Sequence, residues 1–378
     1  MSTYADDVEF LKHHAQVVEL TGPARSRAVV VPAYQGRVMT ATATGSEGRG
    51  FGWINTAFIE SLKTSDVMNN YGGMDRFWLG PEAGQFGLYF PDAAPFQLDR
   101  WRVPQGLNSG SFEVTSQGAS SVAMANQFRV ANYSGTIFDC AVKRTITVLS
   151  IKAACRNLNI TLAGDVEMVA VESKNVLANV GENDWTRQGG LLSVWILGMF
   201  KALAHGRVIV PLVGGDEARL GPKATTDYFG TLPASRCRVA DTYVTFACDG
   251  IYRSKIGVSP ARARNVLGSY DADRASLTIV QFTLPAGARD LPYVNSLWKM
   301  QDEPYAGDAV NSYNDGLGDH SPQEPSFYEL ESSSPAAELK AGQHIEHVHR
   351  TYHFVGPQQE LMTLGKKILG VDLKAAMR

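Results

Sequence analysis

The stretch His344-Ile-Glu-His-Val-His-Arg-Thr-Tyr-His-Phe-Val355 alternates between polar and apolar residues with the period of two that is typical of a β-strand. Its Val, Thr, Tyr and Phe residues favour strands. The face predicted to point into a core carries Val348, Tyr352 and Phe354. The face predicted to point outward carries His347, His349 and His353. Three histidines on one strand face also fit a metal site, which is the less favoured alternative.

Similar β-rich runs, separated by glycine and proline, lie along most of the chain. They cover residues 26–44, 128–150, 158–171, 207–213, 242–256, 275–284 and 327–330. Helical patterns are found near the two ends, at 4–18 and at 358–368, where Pro357 is a favoured helix-start residue. Strands do not alternate with helices, which argues against a doubly wound parallel sheet. We therefore predict a mainly β protein, a single antiparallel β-sandwich domain over residues 1–378.

The composition of the chain excludes some classes of protein and argues against others. Hydrophobic residues make up 44% of the chain, which excludes wholesale disorder, and the formal net charge is −3. This near-neutral balance argues against nucleic acid or an anionic membrane as the main partner. The longest apolar run, 191–200, is too short to span a membrane. The first ten residues lack the apolar segment of a secretory signal, and the four cysteines are scattered, so we expect a cytoplasmic location. A chain trimmed of its leader would look the same.

The segment Asn69-Asn-Tyr-Gly-Gly-Met-Asp-Arg-Phe-Trp-Leu-Gly-Pro-Glu-Ala-Gly-Gln85 combines amides, carboxylates, a guanidinium and aromatic rings. Sugars require this mixture, because their hydroxyls need polar partners and their C–H faces stack on rings. The candidate ligands here are Asn70, Asp75, Arg76, Trp78 and Glu82. The alternative is a structural turn in which Asp75 pairs with Arg76.

Two further segments carry candidate binding residues. Residues 172–185 are rich in amides and contribute Asn175, unless this segment is an edge loop that satisfies its own backbone. Residues 249–256 place Arg253 and Lys255 on one strand face. Burying two cations is costly unless they meet carboxylates or an anionic ligand. A solvated outer face is the alternative for this pair.

The long polar segment 293–325 is predicted to be a functional loop. It contributes Lys299, Asn314 and Asp315 to the candidate binding residues. The strand that follows carries Glu329 and Glu331 on one face. A glutamate beside an amide-rich loop suits a general base, and Glu331 is preferred.

The run Tyr71-Gly-Gly-Met-Asp-Arg-Phe-Trp-Leu-Gly-Pro-Glu82 resembles the signature of an uncharacterised bacterial family, a domain of unknown function associated with the galactose-mutarotase-like β-supersandwich. Segments 190–200, 311–316 and 327–335 are similar to it as well. The resemblance covers the chain from about residue 26 to 356. It implies a galactose-mutarotase-like β-supersandwich of antiparallel strands with a few short helices.

The resemblance also implies roles for individual residues. Arg76 matches the arginine with which aldose 1-epimerases hold sugar hydroxyls. Leu330-Glu-Ser-Ser-Ser-Pro335 resembles the stretch that carries their catalytic glutamate, which favours Glu331. Their catalytic histidine has no counterpart at Ser173-Lys-Asn-Val176, so Lys174 or His320 becomes the candidate acid.

We therefore expect a carbohydrate-active protein of aldose 1-epimerase type, with Glu331 as base, His320 as acid, and Arg76, Asn314 and Trp78 holding the sugar. One alternative is a glycoside hydrolase or lyase-like enzyme, whose second carboxylate would come from Asp75, Asp315 or Glu82. Another is a non-catalytic carbohydrate-binding protein. We expect no cofactor and no metal, and a small-molecule or oligomeric carbohydrate as partner. No pattern selects a particular sugar or an oligomeric state.

Overall fold

The computed structural model describes residues 2–316 and 326–377. The strands of this part of the chain are β1 (Val18–Thr21), β2 (Arg27–Val31), β3 (Arg37–Thr42), β4 (Arg76–Gly80), β5 (Glu113–Gln117), β6 (Ser121–Ala131), β7 (Ile137–Val148), β8 (Glu167–Asn179), β9 (Ser193–Lys201), β10 (Arg207–Pro211), β11 (Cys237–Val239), β12 (Tyr243–Ala247), β13 (Ser254–Val258), β14 (Val266–Asp271), β15 (Ser276–Phe282), β16 (Val310–Asn314), β17 (Phe327–Ser333) and β18 (His344–Val355). The α-helices are α1 (Tyr4–His14), α2 (Thr56–Glu60), α3 (Gln105–Asn108), α4 (Ile151–Leu158), α5 (Glu217–Leu220), α6 (Gln358–Leu369) and α7 (Leu373–Ala376). The prediction of a mainly β protein is confirmed. Among the described helices, none combines the length and the apolar character needed to cross a membrane.

The strands form three antiparallel sheets. Five strands pair in the order β13-β16-β17-β9-β4, ten in the order β11-β12-β10-β14-β15-β18-β8-β7-β6-β5, and three in the order β1-β2-β3. The five-stranded and ten-stranded sheets pack face to face, and the apolar side chains between them form the main core. The candidate site lies on the opposite face of the five-stranded sheet.

Some strands are buried on one face and others on both faces, and their sequences differ accordingly. In β7 inward and outward residues alternate, as expected when one face of an antiparallel strand meets a core. In β9 eight of nine residues are buried, because the five-stranded sheet is covered on both faces. This accounts for its nearly continuous apolar sequence, Ser193-Val-Trp-Ile-Leu-Gly-Met-Phe-Lys201.

Helices cover the outer face of the ten-stranded sheet. Helix α6 begins after Pro357, as predicted, and buries Leu361 and Leu369 in a second core that includes Tyr352 and Phe354 of β18. At the other end of the chain, α1 begins with a capping box between Thr3 and Asp6 and stops at His14, four residues before the predicted end.

Strand β18 occupies the predicted residues, but the prediction that its histidine face points outward is wrong. His347, His349 and His353 are fully buried between the two large sheets. Ser332 Oγ of β17 lies 2.8 Å from both His347 Nε2 and His349 Nδ1. Helices cover the other side of the sheet around Tyr352 and Phe354, so β18 is buried on both faces there, and its polar face is the one that meets the serine hydroxyl. In the described part of the chain, no three His, Cys, Asp or Glu side chains are arranged to hold a metal.

These buried histidines predict an acid-sensitive fold. Burial lowers the pKa of His347 and of His349 from 6.5 to about 3. Below pH 6.5 the unfolded chain therefore binds protons that the native state does not. The free energy of unfolding should fall by about 1 kcal/mol per histidine between pH 6.5 and 5.5, as urea unfolding at the two pH values would measure.

A pair of variants isolates this effect from carboxylate titration. His347→Gln should reduce the loss of unfolding free energy between pH 6.5 and 5.5 by about 1 kcal/mol. His13→Gln removes a histidine whose side chain is 67% exposed and should leave the loss unchanged. Equal losses in His347→Gln and the wild type would contradict the prediction.

Candidate active site on the five-stranded sheet

The site face is the face of the five-stranded sheet that points away from the ten-stranded sheet. Residues opposite one another in an antiparallel pair share a face, and the register aligns Trp78 with Trp195, Leu197 with Glu331, and Glu331 with Asn311. By the same alternation, the site face carries Arg76, Trp78, Trp195, Glu329, Glu331, Asn311, Tyr313 and Lys255. Charged and aromatic side chains from all five strands therefore meet on one surface.

Glu331 is at the centre of this surface and is fully buried. Its Oε2 accepts a 2.8 Å hydrogen bond from Trp195 Nε1 and lies 3.4 Å from Lys255 Nζ. Its Oε1 is also buried but has no hydrogen-bond partner in the described structure. Burial raises the pKa of Glu331, while Lys255 and the Trp195 bond oppose the shift. One oxygen is thus held in place and the other has its lone pairs available.

Lys255 lies between two carboxylates. Its Nζ is 3.4 Å from Glu331 Oε2, 3.9 Å from Glu82 Oε2 and 4.6 Å from the centre of the Trp195 ring. Burial acts to lower the pKa of Lys255, but Glu331 and Glu82 outweigh it, so the pKa is raised. Lys255 therefore stays protonated, and of the alternatives open for it, the structure shows contact with carboxylates rather than a solvated outer face.

Arg76 forms a second ion pair on the site face. Its Nη2 lies 2.8 Å from Glu329 Oε1, and its guanidinium carbon lies 3.9 Å from the centre of the Trp78 ring. The predicted alternative, a pair between Asp75 and Arg76, does not form. Burial raises the pKa of Glu329, and Arg76 opposes this shift. Arg76 Nε is buried without a partner among the described residues, so one guanidinium donor remains available.

A segment from outside the sheet covers Lys255. Backbone hydrogen bonds join Thr225 to Gly257 of β13, and Tyr228, three residues further on, places its ring 5.4 Å from Lys255 Nζ. The Tyr228 hydroxyl donates to Asp308 Oδ2 at 2.7 Å. Burial raises the pKa of Asp308 to about 6. A Cβ at Gly257 would lie 2.0 Å from Asp308 Oδ2, so only glycine leaves room for this carboxyl group.

Several other predicted residues lie on or beside the site face. Glu82 accepts a 3.0 Å hydrogen bond from Trp101 Nε1 in addition to its contact with Lys255. Asp315 accepts hydrogen bonds from Tyr313 at 3.2 Å and from Ser326 at 2.8 Å. Arg253, immediately before β13, stacks on Phe229.

Other predicted residues lie elsewhere. Asp75 faces the core between the large sheets, where it contacts Arg144 and accepts a 2.6 Å hydrogen bond from Ser173 Oγ. Asn175 lies in the same inter-sheet layer and donates to Ser173 Oγ at 3.1 Å. Neither side chain belongs to the site face. Strand alternation itself indicates this for Asp75, since it directly precedes Arg76 and so points to the opposite face.

The remaining predicted residues have different surroundings. The amide of Asn314 donates to the Tyr252 carbonyl at 3.0 Å and accepts from Gly250 N at 2.9 Å, so it holds a turn. Lys299 is exposed, and Asn70 is half-buried in the loop before β4. His320 lies outside the described residues.

Sequence reasoning missed several residues of the site, among them Trp195, Tyr228 and Asp308. Trp195 belongs to an apolar run that indicates only a buried strand. Tyr228 and Asp308 lie in loops, and they reach the site through pairing with β13 and β16 rather than through any local pattern. The one usable signal was alternation within β9, which places Trp195 on the face opposite Ile196.

Comparison with known proteins identifies the family. A model of the family of unknown function DUF6786 matches residues 2–378. The chain belongs to that family. No curated protein sequence matches this DUF6786 chain.

Solved structures identify the fold of this DUF6786 chain. An Escherichia coli K12 protein proposed to be an aldose 1-epimerase superposes with a TM-score of 0.53 at 10% identity, covering 90% of this chain and 99% of the other. The Slr1438 protein of Synechocystis sp. PCC 6803 gives 0.50 at 11% identity, covering 91% and 96%. A galactose mutarotase-like protein of Lactobacillus casei ATCC 334 gives 0.49 at 9% identity, covering 89% and 100%. At such identities the first two show the fold alone, and the predicted galactose-mutarotase-like fold is confirmed.

Proposed function

We propose that this chain is a carbohydrate-active enzyme of aldose 1-epimerase type in which Glu331 is the general base. The observation that carries the proposal is that only one of the two Glu331 carboxylate oxygens has partners. Trp195 and Lys255 hold Oε2, whereas Oε1 is buried without a partner among the described residues. A carboxylate fixed by one oxygen and free at the other is suited to remove a proton from a bound hydroxyl.

The proposed reaction needs one base and one acid. Glu331 Oε1 takes the proton of the anomeric hydroxyl while the bond between C1 and the ring oxygen breaks and the acid protonates that oxygen. The open-chain aldehyde rotates about C1–C2, and the reverse proton transfers close the ring on the other face. His320, which lies outside the described residues, remains the predicted acid.

The neighbours of Glu331 have supporting roles in this proposal. Lys255 balances the charge of the base, and its protonated state is maintained by Glu331 and Glu82. Arg76 Nε and Trp78 Nε1 are buried N–H donors without described partners, so they are available to sugar oxygens.

Access to this surface requires movement. Five charged side chains at its centre are each at most 7% exposed: Arg76, Glu82, Lys255, Glu329 and Glu331. The charged groups therefore contact one another rather than solvent. Sugar binding requires the segment carrying Tyr228 to move away from Lys255.

A glycoside hydrolase is the second candidate, and one observation favours it. Glu82 Oε2 and Glu331 Oε2 lie 3.9 and 3.4 Å from the same Lys255 Nζ. Glycoside hydrolases use two carboxylates that flank the scissile bond. Release of reducing sugar from oligosaccharides would favour this candidate over the epimerase.

Proton NMR of freshly dissolved aldoses tests the leading proposal, because the anomeric signals report the approach to equilibrium directly. The protein should accelerate anomer exchange for at least one sugar. A Glu346→Gln variant should exchange that sugar at the same rate, since Glu346 is an exposed residue paired with Lys174 on the other sheet. No acceleration for any aldose would count against the epimerase and leave a hydrolase or a non-catalytic sugar-binding protein.

A further inference from the structure

The edge of the site face next to β13 contains a cation that the site's own carboxylates do not neutralise. The guanidinium carbon of Arg253 lies 3.8 Å from the centre of the Phe229 ring and 5.6 Å from that of Trp298. Within the described residues, Arg253 makes no ion pair, whereas Arg76 pairs with Glu329 and Lys255 with Glu331. Arg253 also hydrogen-bonds the side chain of Tyr313, which is a neutral partner. Aromatic contacts fix the plane of a guanidinium and leave its remaining N–H groups available to an anion.

Unpaired hydrogen-bonding groups around the site are mostly donors. Arg76 Nε, Trp78 Nε1 and Trp298 Nε1 are buried N–H groups without a described partner, against one carboxylate oxygen, Glu331 Oε1. Leaving a buried donor unsatisfied costs about 1–3 kcal/mol, so this arrangement favours a ligand that brings acceptors. A carboxylate or phosphate offers only acceptors, whereas a sugar hydroxyl offers both kinds of group.

Arg253 lies near the proposed chemistry without belonging to it. It stands immediately before β13 and two residues from Lys255, which corresponds to at most about 7 Å of chain. Phe229, the ring under Arg253, directly follows Tyr228, which covers Lys255. The same covering segment thus contacts both positions.

We propose that Arg253 and Trp298 form a subsite for the anionic group of a sugar, a carboxylate or a phosphate, whose ring lies over Glu331 and Lys255. This assignment of substrate class rests on the proposed function for the position of the sugar ring. The predicted behaviour is a preference for charged sugars over their neutral parents, lost when the guanidinium is removed.

Titration by intrinsic tryptophan fluorescence tests the subsite with D-glucuronate, D-galacturonate and D-glucose 6-phosphate against D-glucose and D-galactose. At least one charged sugar should bind about tenfold more tightly than its neutral parent, a difference of about 1.4 kcal/mol. Arg253→Met should abolish that difference and spare the neutral sugar. Arg253→Lys, which keeps the charge, should retain part of it. Preference for the uronates assigns a carboxylate, and preference for the phosphate ester assigns a phosphate.

Arg238→Met is the matched control, because Arg238 is an exposed guanidinium 5.8 Å from the Tyr243 ring on the other sheet. It should change no affinity, and thermal unfolding of each variant verifies that it is folded. Equal binding of charged and neutral sugars, no binding of any charged sugar, or a preference that survives in Arg253→Met would overturn the subsite.

Anomer exchange measured on the same samples separates this proposal from the previous one. Arg253-dependent binding without exchange would retain the subsite and reject the epimerase. Catalysed anomer exchange of neutral sugars, with no preference for binding charged sugars, would support the epimerase and reject the subsite.

Discussion

Replacing Glu331 by glutamine is expected to lower the rate of protein-catalysed anomer exchange by about 10²–10⁴-fold, the usual contribution of a general base. The amide has nearly the size of the carboxylate, and its oxygen still accepts the hydrogen bond from Trp195 Nε1. It cannot take up the anomeric proton. NMR exchange rates at saturating sugar, together with the sugar's dissociation constant, measure this prediction, and the dissociation constant should change little.

Glu172→Gln provides the control for this substitution. Glu172 is half-buried and, like Glu331, paired with a cation, with 2.6 Å between its Oε2 and Arg350 Nε, but it lies on the ten-stranded sheet. The Glu172→Gln variant should catalyse anomer exchange at the wild-type rate. An unchanged rate in Glu331→Gln would place the base elsewhere. A large loss of both sugar binding and thermal stability would instead assign Glu331 a structural role.

The residues found from sequence are those for which a short-range rule suffices. Alternation along one strand correctly put Glu329 and Glu331 on one face, and the cost of burying a cation named carboxylates as one of the partners open to Lys255. Trp195 meets Glu331 across 136 residues of sequence, and Tyr228 meets Asp308 across 80, so both depend on which strands and loops become neighbours. No local pattern contains that information.

The histidine strand shows a different limit. Alternation in β18 established that its two faces differ, but it could not tell which core each would meet. The usual rule that the polar face is solvated holds for a sheet covered on one side. Here α6 covers one side and β17 the other, so His347 and His349 are buried opposite Ser332.

The site face is supported from behind by this same polar layer. Asp75 immediately precedes Arg76, and Ser332 immediately follows Glu331, so two strands of the site each send a neighbouring polar side chain into the inter-sheet space. Arg144 and Ser173 hold Asp75, while His347 and His349 hold Ser332. The positions of the ion-paired side chains on the site face therefore depend on buried pairing on the opposite face.

Arg144→Met is accordingly expected to reduce the free energy of unfolding by about 3–5 kcal/mol, as measured by urea denaturation at neutral pH. The side chains of Arg144 and Asp75 are 0% and 4% exposed, so the variant leaves a carboxylate in the core without its cation. Burial already raises the pKa of Asp75, and Arg144 is the main group opposing that shift.

Two further variants separate the charge from the packing of the arginine. The double variant Asp75→Asn, Arg144→Met removes the stranded charge and should recover much of the lost stability, because a neutral amide is far less costly to bury than a carboxylate. Arg129→Met breaks a pair whose side chains are 67% and 36% exposed and should cost less than about 1 kcal/mol. If Arg144→Met costs no more than Arg129→Met, the buried pair does not stabilise the fold. If the double variant is no more stable than Arg144→Met, the loss comes from the packing of the arginine side chain, and the site face does not depend on this ion pair.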